Sequence, residues 1–289
     1  MSAEGGDISG LYMDDGYLFF RVEPVETKVY NDTIDYEVRI SEGPQATIRS
    51  VNITGNDKTK EYVIRRELRT VPGEKFSRSD MIRSIRELSA LNYFNPEKIN
   101  PNPVPNPDDG TVDINYSLEE KSSDQLELSA GWGGLIGLTG TLGVTFNNFS
   151  TKNLFKKSAW QPLPSGDGQR LSLRIQSNGP SFSSQNFSFT EPWLGGKKPI
   201  SFFTSISHSK QFLYNFRSRD VNRSQSFNIT SLTVGLAKRL TVPDDYFVLS
   251  QALSFQYYDL NNYNTGLFTF GNGASRNFAY TIGLSRNNK

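Results

Sequence analysis

The stretch Asp124–Phe149, DQLELSAGWGGLIGLTGTLGVTFNNF, limits what this chain can fold into more than any other. Leu126, Leu128, Ala130 and Trp132 fall on one side of a pleat, and Gln125, Glu127, Ser129 and Gly131 on the other. After a glycine-rich turn, Leu138, Leu142, Val144 and Phe146 oppose Thr139, Thr141, Gly143 and Thr145. A period of two belongs to a strand, and an apolar face backed by a small or polar one suits a strand set between lipid and a watery lumen. Six later segments repeat the pattern: Gln169–Gln176, Asn186–Thr190, Ile200–Ser209, Phe227–Lys238, Phe247–Tyr258 and Phe278–Arg286. Arg170 and Arg174 fall on the inward parity, as a hydrated lumen allows. In Phe227–Leu236 the apolar parity changes between Ile229 and Leu232, which suggests a bulge or a misread register.

Composition agrees with strands and not with spanning helices. Hydrophobic residues make up 36% of the chain, and no apolar run approaches the roughly 20 residues that a spanning helix needs. A membrane barrel keeps its average hydropathy low because only alternate residues meet lipid. Aromatics at 12% can supply interfacial girdles. The start, MSAEGGDISG, has neither a basic nor an apolar region and does not read as a signal peptide.

Chemistry is excluded on several counts. A net charge of +1 leaves no nucleic-acid footprint. Cysteine is absent and His208 is the single histidine, so thiolate, His-cluster and His-dyad sites have no basis. The carboxylate pairs Asp14-Asp15, Asp108-Asp109 and Asp244-Asp245 lie beside turn residues, where Asp is favoured for local hydrogen bonding. The glycines from Gly131 to Gly134 are followed by no Lys-Ser/Thr pair, and no G-x-S-x-G elbow occurs. The expectation is a protein that is no enzyme and needs no cofactor or metal.

The first 121 residues read as water-soluble. Tyr17–Ile40 is strand, turn, strand, with Asn31-Asp32 at the turn; Ile34, Tyr36, Val38 and Ile40 share a face, which predicts a sheet with one buried side. A strand follows near Ile48–Ile53, then a helix near Lys60–Arg69 ended by Val71-Pro72-Gly73. A second helix starts at Ser77, which with Asp80 three residues on resembles a capping box, and carries the stripe Met81, Ile85, Leu88. The proline-rich Asn95–Pro107 predicts a short edge strand around Ile99–Val104, and Thr111–Leu118 a strand with Val112, Ile114, Tyr116 and Leu118 on one face. Thr33-Ile34-Asp35 returns as Thr111-Val112-Asp113, 78 residues on. One unit of strand, helix, helix, strand, strand is used twice, the first copy incomplete.

Residues Ala46–Lys121, with IRRELR at Ile64–Arg69, VPGEKF at Val71–Phe76 and LNYF at Leu91–Phe94, resemble a POTRA domain. The match is to the last such domain of the outer-membrane protein assembly factors, and FTEPW at Phe189, Thr190, Glu191, Pro192 and Trp193 is similar to the same family. The resemblance implies residues 1–43 as the end of one POTRA domain, 44–121 as a complete one, and 122–289 as the first half of an outer-membrane β-barrel. The fold class expected is therefore α+β POTRA domains followed by an antiparallel transmembrane barrel with about half of its strands. Half a barrel leaves two open edges in lipid, at several kcal/mol per unpaired group, which implies a longer chain.

Function follows from the same resemblance. It implies a factor in the cell outer membrane, POTRA domains in the periplasm, that folds and inserts barrel proteins; its partners are assembly lipoproteins, unfolded barrel clients and outer-membrane lipid, with no nucleic acid. The strand Gln125–Trp132 would be a lateral seam that templates client strands, its pairing weakened by Gly131, Gly133 and Gly134; an ordinary barrel strand with a glycine-rich end is the plain alternative. Glu67, with Arg66 beside it, would contact a lipoprotein; charge pairing among Arg65, Arg66, Glu67 and Arg69 on a solvated face is the plain alternative. Rival readings are a translocation-assembly or two-partner secretion pore of the same superfamily, and a passive porin or transporter.

Overall fold

The computed structural model describes residues 7–133, 137–160, 163–215, 218, 220–266 and 269–286. It divides into two compact units, Met1–Ser122 and Ser123–Lys289. Among the described residues no helix is long and apolar enough to cross a membrane.

The first unit opens with a short helix, α1 (Ile8–Asp14), capped by the Asp7 carboxylate, which accepts from Gly10 N. A hairpin of β1 (Arg21–Tyr30) and β2 (Thr33–Ser41) follows, turning at Asn31 in the left-handed region. The sequence predicts a buried side for β2, and this is corrected: Ile34, Tyr36, Val38 and Ile40 are all exposed. The physical reason emerges from the second copy of the repeat.

That copy runs β3 (Thr47–Thr54), α2 (Glu61–Arg65), α3 (Arg78–Ala90), β4 (Asn100–Asn106), β5 (Thr111–Ser117). Its sheet has the order β3-β5-β4, with β3 parallel and β4 antiparallel to β5. A parallel pair needs a crossover, which α2 and α3 supply. Val63 and Ile64 of α2 and Leu88 of α3 close over Ile48, Val51, Val112, Ile114 and Tyr116 as one core. Hairpin β4–β5 corresponds to β1–β2, but among the described residues β2 has no such helix pair over it.

Local chemistry explains the boundaries. Ser77 accepts from Asp80 N and starts α3, as the spacing predicts. Helix α2 is shorter than predicted, ending at Arg65, although Leu68 still reaches the core. In β3, Arg49 is an extra residue between Ile48 and Ser50, which pair with Val112 and Asp113. The bulge carries the buried side from Ile48 to Val51 and swings Arg49 out, where its guanidinium forks onto the Asp113 carboxylate. Gly55 ends β3 at φ +84°, with the Leu118 carbonyl where a Cβ would sit.

The second unit is one antiparallel sheet of eight strands in chain order: β6 (Gln125–Gly133), β7 (Gly137–Phe149), β8 (Gln169–Asn178), β9 (Phe182–Glu191), β10 (Ile200–Asn215), β11 (Asp220–Arg239), β12 (Phe247–Asn261) and β13 (Gly273–Arg286). Every strand read from alternation is present, most of them longer. One row of neighbours crosses the whole sheet as Leu126, Val144, Leu173, Phe187, Ile206, Leu232, Phe255, Phe278. The next row, on the opposite face, is Glu127, Gly143, Arg174, Asn186, Ser207, Ser231, Gln256, Asn277. Burying a large apolar side chain contributes about 1.5–3 kcal/mol, so a row of this length forfeits on the order of ten kcal/mol in water. A bilayer removes that loss.

The bulge suggested between Ile229 and Leu232 is absent: β11 keeps register with β12 from Ser226 to Arg239. Phe227 and Ile229 instead face inward, where Phe227 stacks on Tyr258 and Tyr263 with ring centroids 6.1 and 5.6 Å apart. The irregularity lies earlier, where Phe212 and Leu213 pair with Ser226 and Asn222.

Candidate functional site

Strand β6 lies at one edge of the sheet and β13 at the other; among the described residues β6 is laddered on one side only, to β7. Leu126, Leu128 and Trp132 point to the apolar side and are 71, 76 and 77% exposed. Gln125, Glu127, Ser129 and Gly131 take the other face; Ala130, with no long side chain, joins the apolar one. Gly131 and Gly133 pair in register with Thr139 and Gly137, and the Thr139 hydroxyl donates to the Gly131 carbonyl at 3.3 Å. Gly134 lies outside the described residues.

The inward face of β6 is clasped across its neighbour. Glu127, Gly143 and Arg174 are successive partners on β6, β7 and β8. The missing side chain at Gly143 lets Glu127 and Arg174 meet over the strand at 3.0 Å; a Cβ there would lie 3.0 Å from a Glu127 carboxylate oxygen. Around this pair is an open groove of about 470 Å³ lined by Gln125, Thr145 and Ser172 among others. At the start of β6, Asn147 of β7 holds the arriving chain: its backbone N–H donates to Asp124 Oδ1 at 3.1 Å and its Nδ2 to the Ser123 carbonyl at 2.5 Å.

The same end of the sheet carries the β7–β8 connection and the FTEPW segment. Ser150 donates to Asp167 Oδ2 at 2.6 Å, and Asn148 Oδ1 accepts from Gly168 N at 2.9 Å. Gln169 accepts from Thr151 N through Oε1 and donates through Nε2 to Thr151 Oγ1 and, at 2.7 Å, to Glu191 Oε2. Glu191 also accepts from Trp193 N. Phe189, Thr190 and Glu191 end β9 and Pro192 and Trp193 begin the turn, so the bonds of Glu191 join two adjacent connections. Sequence reasoning named Glu191 only as part of a motif; its hub role depends on Gln169, which no local pattern marks.

In the first unit the two residues proposed for partner contact are partly withdrawn. The side chains of Arg66 and Glu67 are 6 and 12% exposed and pair at 3.5 Å; Arg66 also lies over the Tyr62 ring. Arg65 pairs with Glu61, and Arg69 with Glu87. Strand β4 is the predicted edge. Its prolines, Pro101, Pro103 and Pro105, fall at alternate positions. A ladder to β5 must draw its donors from the residues between them, so the open side of β4 offers carbonyls without N–H groups.

Comparison with known proteins matches these observations. Residues 46–121 match the POTRA family, described as surface antigen variable number repeat, and are a POTRA domain. A POTRA domain leading into an antiparallel sheet with one apolar face defines the class: outer-membrane barrel proteins that carry POTRA domains. Within that class the chain is similar to the outer membrane protein assembly factor BamA of Neisseria meningitidis, 29% identical over 272 residues, 91% of this chain and 30% of that protein. The crystal structure of BamA from Haemophilus ducreyi lacking POTRA domains 1–3 superposes with a TM-score of 0.68 at 20% identity, over 97% of this chain and 52% of the other. CdiB from Escherichia coli shares the fold at a TM-score of 0.51 and 12% identity, over 95% of this chain and 47% of the other. The chain thus spans about a third of the curated relative, and its eight strands are an open sheet resembling part of a BamA barrel. Its sheet belongs to the outer membrane and its POTRA domain to the periplasm.

Proposed function

We propose that this chain is part of a factor that folds and inserts β-barrel proteins into the outer membrane. The POTRA domain receives unfolded clients and assembly lipoproteins, and β6 acts as a lateral seam whose free backbone groups template an incoming client strand. The observation that carries this reading is the glycine-thinned end of β6, where Gly131 and Gly133 add no side chain to the pairing while Leu126, Leu128 and Trp132 stand exposed on the apolar row. Pairing and burial of the client release the free energy of insertion, so no nucleotide or cofactor takes part. The proline-lined edge of β4 lacks donors, which favours β6 over β4 as the templating edge.

The test is a disulfide between cysteines at position 128 (Leu128→Cys) and on the closing strand of the complete barrel. Locking the seam should stop client assembly, with recovery on reduction. Assembly at an unchanged rate in the locked state refutes lateral opening. For the lipoprotein contact, Glu67→Gln, which keeps the side chain's size beside Arg66, should lower co-purification of the lipoprotein, with exchange protection of the POTRA core followed in parallel; full recovery of the lipoprotein removes Glu67 from the interface.

A further inference from the structure

The connection between β7 and β8 is a second candidate surface, and it is built to be held out from the sheet. The buried bonds of Asn148, Ser150, Asp167 and Gln169 fix both of its feet. Between them the chain makes two 3-10 turns, Thr151–Asn153 and Lys157–Ala159. Phe155 is 93% exposed and Trp160 46%. The Trp160 ring is pinned by its Nε1–H, which donates to the Leu154 carbonyl at 3.0 Å. Lys152, Lys156 and Lys157 are exposed beside these rings, and no acidic residue occurs from Ser150 to Gly166.

An aromatic side chain held almost wholly in water on an anchored loop has given up its burial there. Beside a bilayer it recovers that burial, and flanking lysines meet anionic headgroups. The place in the fold supplies the bilayer. Phe149 and Gln169 stand at the end of the sheet where the chain arrives at Gln125, the end that also bears Trp193. We propose that the segment Lys152–Trp160 docks on an anionic phospholipid surface at the periplasmic rim of the sheet, inserting Phe155 and Trp160 between headgroups paired with Lys156 and Lys157. The inference rests on the membrane placement of the sheet, and its test separates the two.

The sequence contains no cysteine, so Phe155→Cys gives a unique labelling site for an environment-sensitive fluorophore. The full chain is reconstituted into phosphatidylcholine vesicles with or without phosphatidylglycerol, each carrying nitroxide lipids, and Leu173→Cys on the outward row serves as the bilayer control. Both labels should be quenched when phosphatidylglycerol is present, and the label at 155 much less when it is absent. Lys156→Gln with Lys157→Gln should lower the docked-to-free ratio at 155 by about 25-fold, at about fivefold per lysine, leaving the label at 173 unaffected. Quenching at 173 without quenching at 155 overturns the docking and keeps the membrane sheet; quenching at neither overturns both. Quenching at 155 that ignores lipid charge and the lysines overturns the anionic surface as its partner.

Discussion

Tyr116 lies fully buried in the POTRA core, and its hydroxyl is 3.0 Å from Thr70 Oγ1, itself almost fully buried. Tyr116→Phe removes one partner of a buried hydrogen bond and leaves the Thr70 hydroxyl without it. The neighbouring Ser84 hydroxyl is already engaged, donating to the Asp80 carbonyl at 2.7 Å and accepting from Arg69 N at 2.8 Å. An unsatisfied buried hydroxyl costs about 1–2 kcal/mol, which is roughly 5–30-fold in the opening equilibrium. Amide exchange followed by mass spectrometry on the full chain should show that loss of protection in peptides of β3, β5 and α3. Thr70→Val should do the same by itself. The double variant should lose less than the two singles added, by about 1 kcal/mol, because removing both partners strands neither. Protection unchanged within about twofold in Tyr116→Phe, or strictly additive losses, would refute the bond's part in stability.

Three further outcomes are expected. Gly55→Ala puts a Cβ 1.9 Å from the Leu118 carbonyl oxygen at a left-handed φ, so it should destabilise the POTRA sheet by about 2–5 kcal/mol, seen as lost protection across β3 and β5. The Arg49 fork, helped by the Ser50 hydroxyl, holds the Asp113 carboxyl down to about 2; its support of the fold is present above the ordinary carboxylate range and fades as pH falls toward 2. Arg49→Ala should move the Asp113 midpoint up toward about 3.9 in a carboxyl NMR titration, and an unmoved midpoint refutes the fork. Glu127→Ala removes a half-exposed ion pair worth about 0–1 kcal/mol, so β6 amides should lose less than about fivefold of their protection; a larger loss makes the pair a main clasp of the edge.

Much of the architecture was legible because strand alternation and a helix cap are local signals. The apolar and polar faces of β6 and β13, the Ser77 cap and the FTEPW segment could be read directly. What escaped depends on distant partners. Alternation could mark Ile34–Ile40 as a face but not whether anything covers it, and α1 carries only a short pattern. The parity change in β11 is an inward aromatic cluster completed by Tyr258 and Tyr263 of another stretch, which imitates a bulge in one dimension. At the candidate site, the edge strand was legible, while the clasp over Gly143 and the Gln169–Glu191 bond needed three strands brought side by side.

The grip of Asn147 on Ser123 and Asp124 has a mechanical side. A tug on the preceding periplasmic segment is delivered first to β7, which is laddered along both flanks, and not to the outermost strand. Any load entering the chain at Ser123 is thereby shared between β7 and β8 before the ladder of β6 to β7 is strained.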